Sequence, residues 1–182
     1  MSGSTGGFGA VARILHWLMA VMVLAMLFIG VGMVTTVSGR YEMLVGIHKP
    51  LGIAILLLAL LRLANRLRRP APAADLPGWQ KLVAKASHLV LYALMLAMPL
   101  VGWAMLSAGG YPIVLHGPWH LPPIAPHDAP LYTVLHQAHV VLAYLFFAVI
   151  LAHLGAALFH ALIRRDGVFA GMAPWPRRRG MP

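Results

Sequence analysis

Three features of the sequence predict an all-α membrane protein, a four-transmembrane-helix bundle with both termini cytoplasmic. First, 60% of the 182 residues are hydrophobic and only 10% are charged, against about 25% charged in soluble domains. Second, four apolar runs, Ile14 to Val37, Met43 to Ala64, Leu82 to Leu106 and Leu131 to Ile163, each reach the roughly 20 residues a helix needs to cross about 30 Å of hydrocarbon. Third, the basic residues are divided unevenly between the connections. In lipid only helices and closed barrels satisfy the backbone, and runs of this length read as helices.

Taken in order, helices are expected at about 12–37, 43–66, 80–106 and 131–163, followed by a tail at 164–182. The first run is too long for a signal core, is preceded by MSGSTGGFGAVA without Lys or Arg, and has no Ala-x-Ala site after it, so it is expected to remain as a span. The connection TTVSGRY is short. The next, NRLRRPAPAADLPGWQ, reads as an extended loop with an interfacial Trp79. The third, SAGGYPIVLHGPWHLPPIAPHDAP, is the longest, and its six prolines and three glycines argue against a long regular element. It is expected to form an ordered cap or a partner surface. Pro50 is expected near the start of its helix, where proline costs little. The tail APWPRRRGMP is expected to be disordered, with its arginines at anionic headgroups.

The formal charge of +10 raises the question of nucleic acid. With a cytoplasmic N-terminus, 12 of the 14 basic residues lie inside, in the groups Arg13; Arg62, Arg66, Arg68, Arg69, Lys81 and Lys85; and Arg164, Arg165, Arg177, Arg178 and Arg179. Only Arg40 and Lys49 lie outside. This is the positive-inside distribution, so the basic balance reports topology in lipid and calls for no nucleic-acid partner. The absence of cysteine excludes thioether haem, thiolate clusters and disulfides together, leaving histidine to carry any metal chemistry.

Seven of the ten histidines lie in or at the ends of the spans: His16, His48, His88, His136, His139, His153 and His160. An ionisable residue inside a span is by default a functional candidate. His139 and His153 are fourteen residues apart, which is roughly 40° short of four full turns and a rise of roughly 21 Å, so they share one face at two depths. Two such imidazoles suit two metal centres stacked across a membrane. Haem fits, because histidine is a common axial ligand and a bundle interior can enclose a porphyrin. Zinc, which requires clustered ligands, does not.

Two six-coordinate haems require four imidazoles. On the outer side His48 and His139 enter their spans to similar depth and form the expected pair, with His136 as a rival or a haem-edge residue. The inner side stays open on depth alone. Counting from the flanking charges pairs His16 with His160, while His88 is a further contender.

Several other residues carry weaker signals. Trp17 suits a quinone pocket or an interfacial anchor. Arg62 suits a propionate partner or a snorkelling anchor. Gly46, Gly52, Gly102 and Gly155 suit either a close-lying macrocycle or helix packing. His116 and His120 in HGPWH, with His127, read as loop residues, and the eleven dispersed methionines read as apolar filler rather than copper ligands.

The segments RILHWL, GIHKPLGIAILLLALLRL, SHLVLYALMLAMPLVGWAM and HVVLAYLFFAVILAHLGAALFHALIRRDGVFAGM resemble the bacterial cytochrome b561 group of di-haem membrane proteins, over about residues 13 to 172. The resemblance implies one domain over 1–182, two haem b groups and a multi-pass place in the bacterial inner membrane. It implies axial pairing of His48 with His139 and of His16 with His153, against the depth count, which a first helix beginning before Arg13 would reconcile. His88 and His160 are then left for a quinone head or a propionate.

Within the group the chain is similar to superoxide oxidases (superoxide:ubiquinone oxidoreductases). That implies oxidation of periplasmic superoxide and reduction of ubiquinone, with Lys49 and Arg40 steering the anion. The competing expectation is an electron-transfer subunit joining a periplasmic redox protein or dehydrogenase to the quinone pool.

Overall fold

The computed structural model describes residues 8–70 and 76–173. Four long helices form the body: α1 (Ala10–Thr35), α2 (Gly39–Arg68), α3 (Gly78–Ala108) and α4 (Ala129–Leu158). Each is long and apolar enough to cross a membrane. Their ends follow local chemistry. Ser38 caps α2 by accepting the Arg40 N–H, and Glu42 in the first turn with Arg66 and Arg68 in the last complement the helix dipole. Asp128 caps α4 by accepting the Leu131 N–H at 2.7 Å, with Pro130 in the first turn, where its missing N–H is harmless.

Consecutive helices pack against one another, α1 on α2, α2 on α3 and α3 on α4, whereas α4 stands off from α1 and α2. The buried core is a thin mid-bundle layer of Met19, Val23, Ile55, Leu58, Ala59, Leu94, Met95 and Phe146. Fully buried Ala59 lets its neighbours approach closely. Outside this layer many large apolar side chains face outward, as Phe28, Val34 and Leu89 do, which suits a surface solvated by acyl chains.

All four helices begin before their expected starts, α2 and α3 also run two residues past their expected ends, and α1 stops two residues short at Thr35. Because α2 begins at Gly39, Pro50 lies in its interior rather than in the first turn. It removes the ladder bond to the carbonyl of Gly46, two residues before His48. Pro99 does the same inside α3.

The long third connection contains an antiparallel hairpin, β1 (Ile113–His116) and β2 (Trp119–Leu121), turned at Gly117 with φ 52° and Pro118. It is fastened to the end of α3: Trp103 Nε1–H donates to the Pro122 carbonyl at 2.9 Å, the Ile124 N–H donates to Ser107 Oγ at 3.1 Å, and His127 Nδ1 lies 3.1 Å from the Ala108 carbonyl. Gly110 (φ 71°) passes so close to His127 that a Cβ there would lie 3.1 Å from the ring.

At the other end α4 runs on into a π-helical turn, Phe159–Arg164. Arg165 (φ 51°) and Gly167 (φ 78°) then reverse the chain into the short α5 (Val168–Met172). This strap returns to the start of α1, where Trp17 Nε1–H donates to the Met172 carbonyl at 2.8 Å and the Phe8 N–H to the Gly171 carbonyl at 3.3 Å. Arg177, Arg178 and Arg179 of the tail, and residues 71–75 of the second connection, lie outside the described residues.

Candidate cofactor site: imidazoles across the seam of the bundle

The seam between α4 and the pair α1/α2 is bridged by imidazoles. His48 is the tenth residue of α2 and His139 the eleventh of α4, on helices that start at the same end. Their ring centroids are 6.3 Å apart. At the opposite end His16 of α1 and His153 of α4 face each other at 6.4 Å. A bond from a metal to an imidazole nitrogen is about 2 Å, so two in line plus the two ring radii place centroids about 6 Å apart. Both separations therefore suit one metal held between the rings. His48 Nδ1 is buried without a hydrogen-bond partner, a costly state for a polar nitrogen unless something further engages the ring.

The region round His139 is backed by Gly102, where a Cβ would come within 3.2 Å of His139 Cε1. Glycine there lets α3 pass directly behind the imidazole. Gly52 abuts Met26, in keeping with packing, while Gly46 and Gly155 border open space. His136 lies one turn from His139 and is exposed, its ring against Tyr132 at 6.0 Å, which in turn meets Tyr111 at 5.9 Å.

The His153 end is more crowded. His88 of α3 lies 5.8 Å from His153, so His153 is flanked by two imidazoles. Arg62 of α2 donates from Nε to the Tyr92 hydroxyl at 3.1 Å, while its Nη1 is buried without a partner. Tyr92 carries no sequence motif and emerges only from the packing of α2 on α3. Arg13 Nε is likewise buried and unpartnered. A buried guanidinium N–H without an acceptor suits an anionic group such as a carboxylate. The Trp17 ring packs edge-on against His16 at 5.7 Å, but its N–H is already engaged by Met172.

Of the remaining sequence candidates, His160 lies in the π-turn with Nδ1 2.6 Å from Asp166 Oδ2. Lys49, next to His48, donates from Nζ to the Pro112 carbonyl at 3.3 Å, which ties it to the hairpin. Arg40 is exposed in the first turn of α2. His120 is exposed on β2. Among the described residues no group of three or more His, Cys, Asp or Glu side chains could hold a metal ion, so the imidazole pairs suit a cofactor that brings most of its own ligands.

A four-span helical bundle with paired intramembrane imidazoles defines a class, the membrane b-type cytochromes, whose porphyrin supplies the equatorial ligands and whose protein supplies the axial ones. The comparisons are specific within that class. The family model for prokaryotic cytochrome b561 matches residues 7–175, and the chain belongs to that family. It is therefore a haem b-binding electron-transfer protein of the bacterial membrane, in contact with lipid. It is 31% identical over 171 residues to cytochrome b561 homolog 2 of Escherichia coli (strain K12), covering 91% of this chain and 90% of the relative. It is 30% identical over 139 residues to cytochrome b561 homolog 1 of the same organism, covering 75% and 78%. Against the probable superoxide oxidase CybB of Yersinia pestis it is 33% identical over 140 residues, covering 74% and 76%.

Proposed function

We propose that this chain is a di-haem b oxidoreductase of the bacterial inner membrane that oxidises superoxide at its His48–His139 end and reduces ubiquinone at its His16–His153 end. The observation that carries this reading is the pair of facing imidazole pairs, at 6.3 and 6.4 Å, placed at two depths of one seam. His48 with His139, and His16 with His153, would hold the two haems. When bound, haem b would supply a reversible one-electron couple between those imidazoles.

The residues around each pair divide the remaining tasks. Lys49, beside His48, donates to Pro112, and with Arg40 it gives that end the positive potential that draws in an anion. The unpaired Nη1 of Arg62 would receive a propionate. His88, exposed on α3 yet in ring contact with His153, and His160, at the end of α4, offer hydrogen-bonding nitrogens to a quinone head entering from lipid. Trp17 contributes its ring face to that region and not its N–H, which Met172 occupies.

The stoichiometry closes: two superoxide anions release two electrons and become dioxygen, and ubiquinone with two electrons and two protons becomes ubiquinol. The concentration of basic residues at the His16 end supports a cytoplasmic place for that end and for both termini, with the hairpin end toward the periplasm. The relative named probable superoxide oxidase supports the substrate.

The test is superoxide consumption by the purified, haem-loaded protein with ubiquinone, beside a His48→Ala control. Rapid consumption with quinol formation, lost in the control, is the expected result. A second reading, an electron-transfer subunit docking a periplasmic redox protein, is favoured by the exposed Trp119 and Tyr111 of the hairpin region. Haems reducible by quinol but indifferent to superoxide would decide for it.

A further inference from the structure

The end of α4 carries a device that the imidazole pairs do not require. The chain winds into a π-turn closed by the Arg165 N–H on the His160 carbonyl at 2.8 Å, a geometry uncommon in ordinary helices and frequent at functional sites. Residues six apart on a regular α-helix are separated by about 9 Å of rise and point to different faces. Here the π-turn and the reversal at Arg165 bring Asp166 Oδ2 within 2.6 Å of His160 Nδ1. Arg164 Nε lies 3.3 Å from the same oxygen, and Asp166 Oδ1 accepts the Val168 N–H at 3.3 Å. The His160 and Asp166 side chains keep only 16% and 20% of their accessible surface.

Burial pushes the Asp166 carboxyl up, but the hydrogen bonds from His160 and Val168 and the charges of His160 and Arg164 outweigh it and hold it below the usual carboxylate range. It is therefore an ionised acceptor at neutral pH, and His160 Nδ1 donates to it. Of the elements packed on the turn, α5 brings no titratable side chain, and Arg165 donates to the Leu162 carbonyl.

We propose that Asp166 is the positioning residue of a proton-delivering dyad: by accepting the His160 Nδ1–H it fixes the ring so that Nε2 hands a proton to the quinone. This deepens the assignment of the quinone to the His16–His153 end and rests on it. In the step, the Nε2–H bond of the imidazolium breaks and an O–H bond forms on the quinone oxygen as the electrons supplied by superoxide arrive. The ring is left neutral with Nδ1–H on Asp166. Water at the membrane surface reloads Nε2 and supplies the second proton.

The experiment compares Asp166→Asn, Asp166→Glu, His160→Ala and the double variant, all haem-loaded, with decylubiquinone as acceptor. Asp166→Asn is expected to lower kcat about ten-fold, as loss of an imidazole-orienting partner does, with KM for decylubiquinone, the haem spectrum and Tm unchanged. Asp166→Glu is expected to recover part of the loss. In the His160→Ala background the Asn substitution is expected to add nothing, because its effect passes through that ring. A rate lost in His160→Ala but kept in Asp166→Asn would overturn the positioning role and leave the quinone assignment intact. A further ten-fold loss in the double variant, or a lowered Tm in Asp166→Asn, would overturn it in favour of a strap fastener. Failure of the wild-type protein to reduce decylubiquinone would remove the quinone assignment and this inference with it.

Discussion

At the hairpin end, His48 and His139 face each other with no third imidazole in ring contact among the described residues, and the surroundings are a capped loop and a glycine. At the strap end, His153 meets both His16 and His88, the same end holds the Arg62–Tyr92 bond and the unpartnered Arg13 Nε, and the His160–Asp166 contact lies about two turns further along the chain. The first arrangement leaves little for its histidines to do except hold a cofactor. The second has more polar chemistry than ligation requires, as a site that must also bind and protonate a substrate would. The contrast supports the proposal that one end exchanges electrons alone and the other electrons with protons.

The sharpest way to break this comparison is to remove one imidazole at each position and count haem per protein. His139→Ala is expected to remove one of two haems while leaving the other spectrum intact. His16→Ala should do the same at the strap end, and His88→Ala should keep both haems while slowing quinone reduction about ten-fold, the scale of one lost hydrogen bond to the substrate. If His88→Ala loses a haem and His16→Ala does not, the axial assignment at that end is reversed.

A smaller effect is expected from Arg62→Gln. Loss of a positive charge favours the oxidised, more positive iron, so the midpoint potential at the strap end should fall by about 60 mV, a tenfold shift in a one-electron equilibrium, while the hairpin-end potential stays put. Redox titration with spectral separation of the two haems checks this.

Acid should disable the dyad. Asp166 has a depressed folded-state pKa, so its ionised acceptor is present above the ordinary carboxylate range and is lost as pH falls through the folded value. Decylubiquinone reduction should therefore lose its Asp166-dependent rate only at low pH, and the profile of Asp166→Asn should lack that acid limb. The smallest effect belongs to Trp17→Phe, which removes the bond to Met172 and should weaken strap docking by about 1 kcal/mol, visible as faster hydrogen exchange in α5 with haem content unchanged.

Much of the bundle was legible because lipid imposes a simple rule: apolar runs of sufficient length become spans, and α1 to α4 coincide with the four runs. The limits were less legible. Apolarity marks hydrocarbon, whereas helix ends follow caps such as Ser38 and Asp128, which lie outside it. Hence α2 gained a turn at its start and Pro50 became interior. The hairpin was hidden by the proline count of its loop, since β1 and β2 are only four and three residues long. Asp166 carries no sequence signal because nothing local links it to His160; the π-turn that joins them has no strong compositional signature.

Periodicity along one helix determined that His139 and His153 share a face at two depths, and composition determined that this face lies in a membrane. Both follow from fixed helix geometry and from the cost of exposing polar groups to oil. Which imidazole meets which was decided only in the folded bundle. Depth counted from flanking charges sets His16 against His160, but α1 begins at Ala10, before Arg13, and α4 with its π-turn runs on to Arg164 before the strap folds back, so His16 faces His153. Relative helix height is a property of packing, caps and reversals together, and no single stretch of chain contains it.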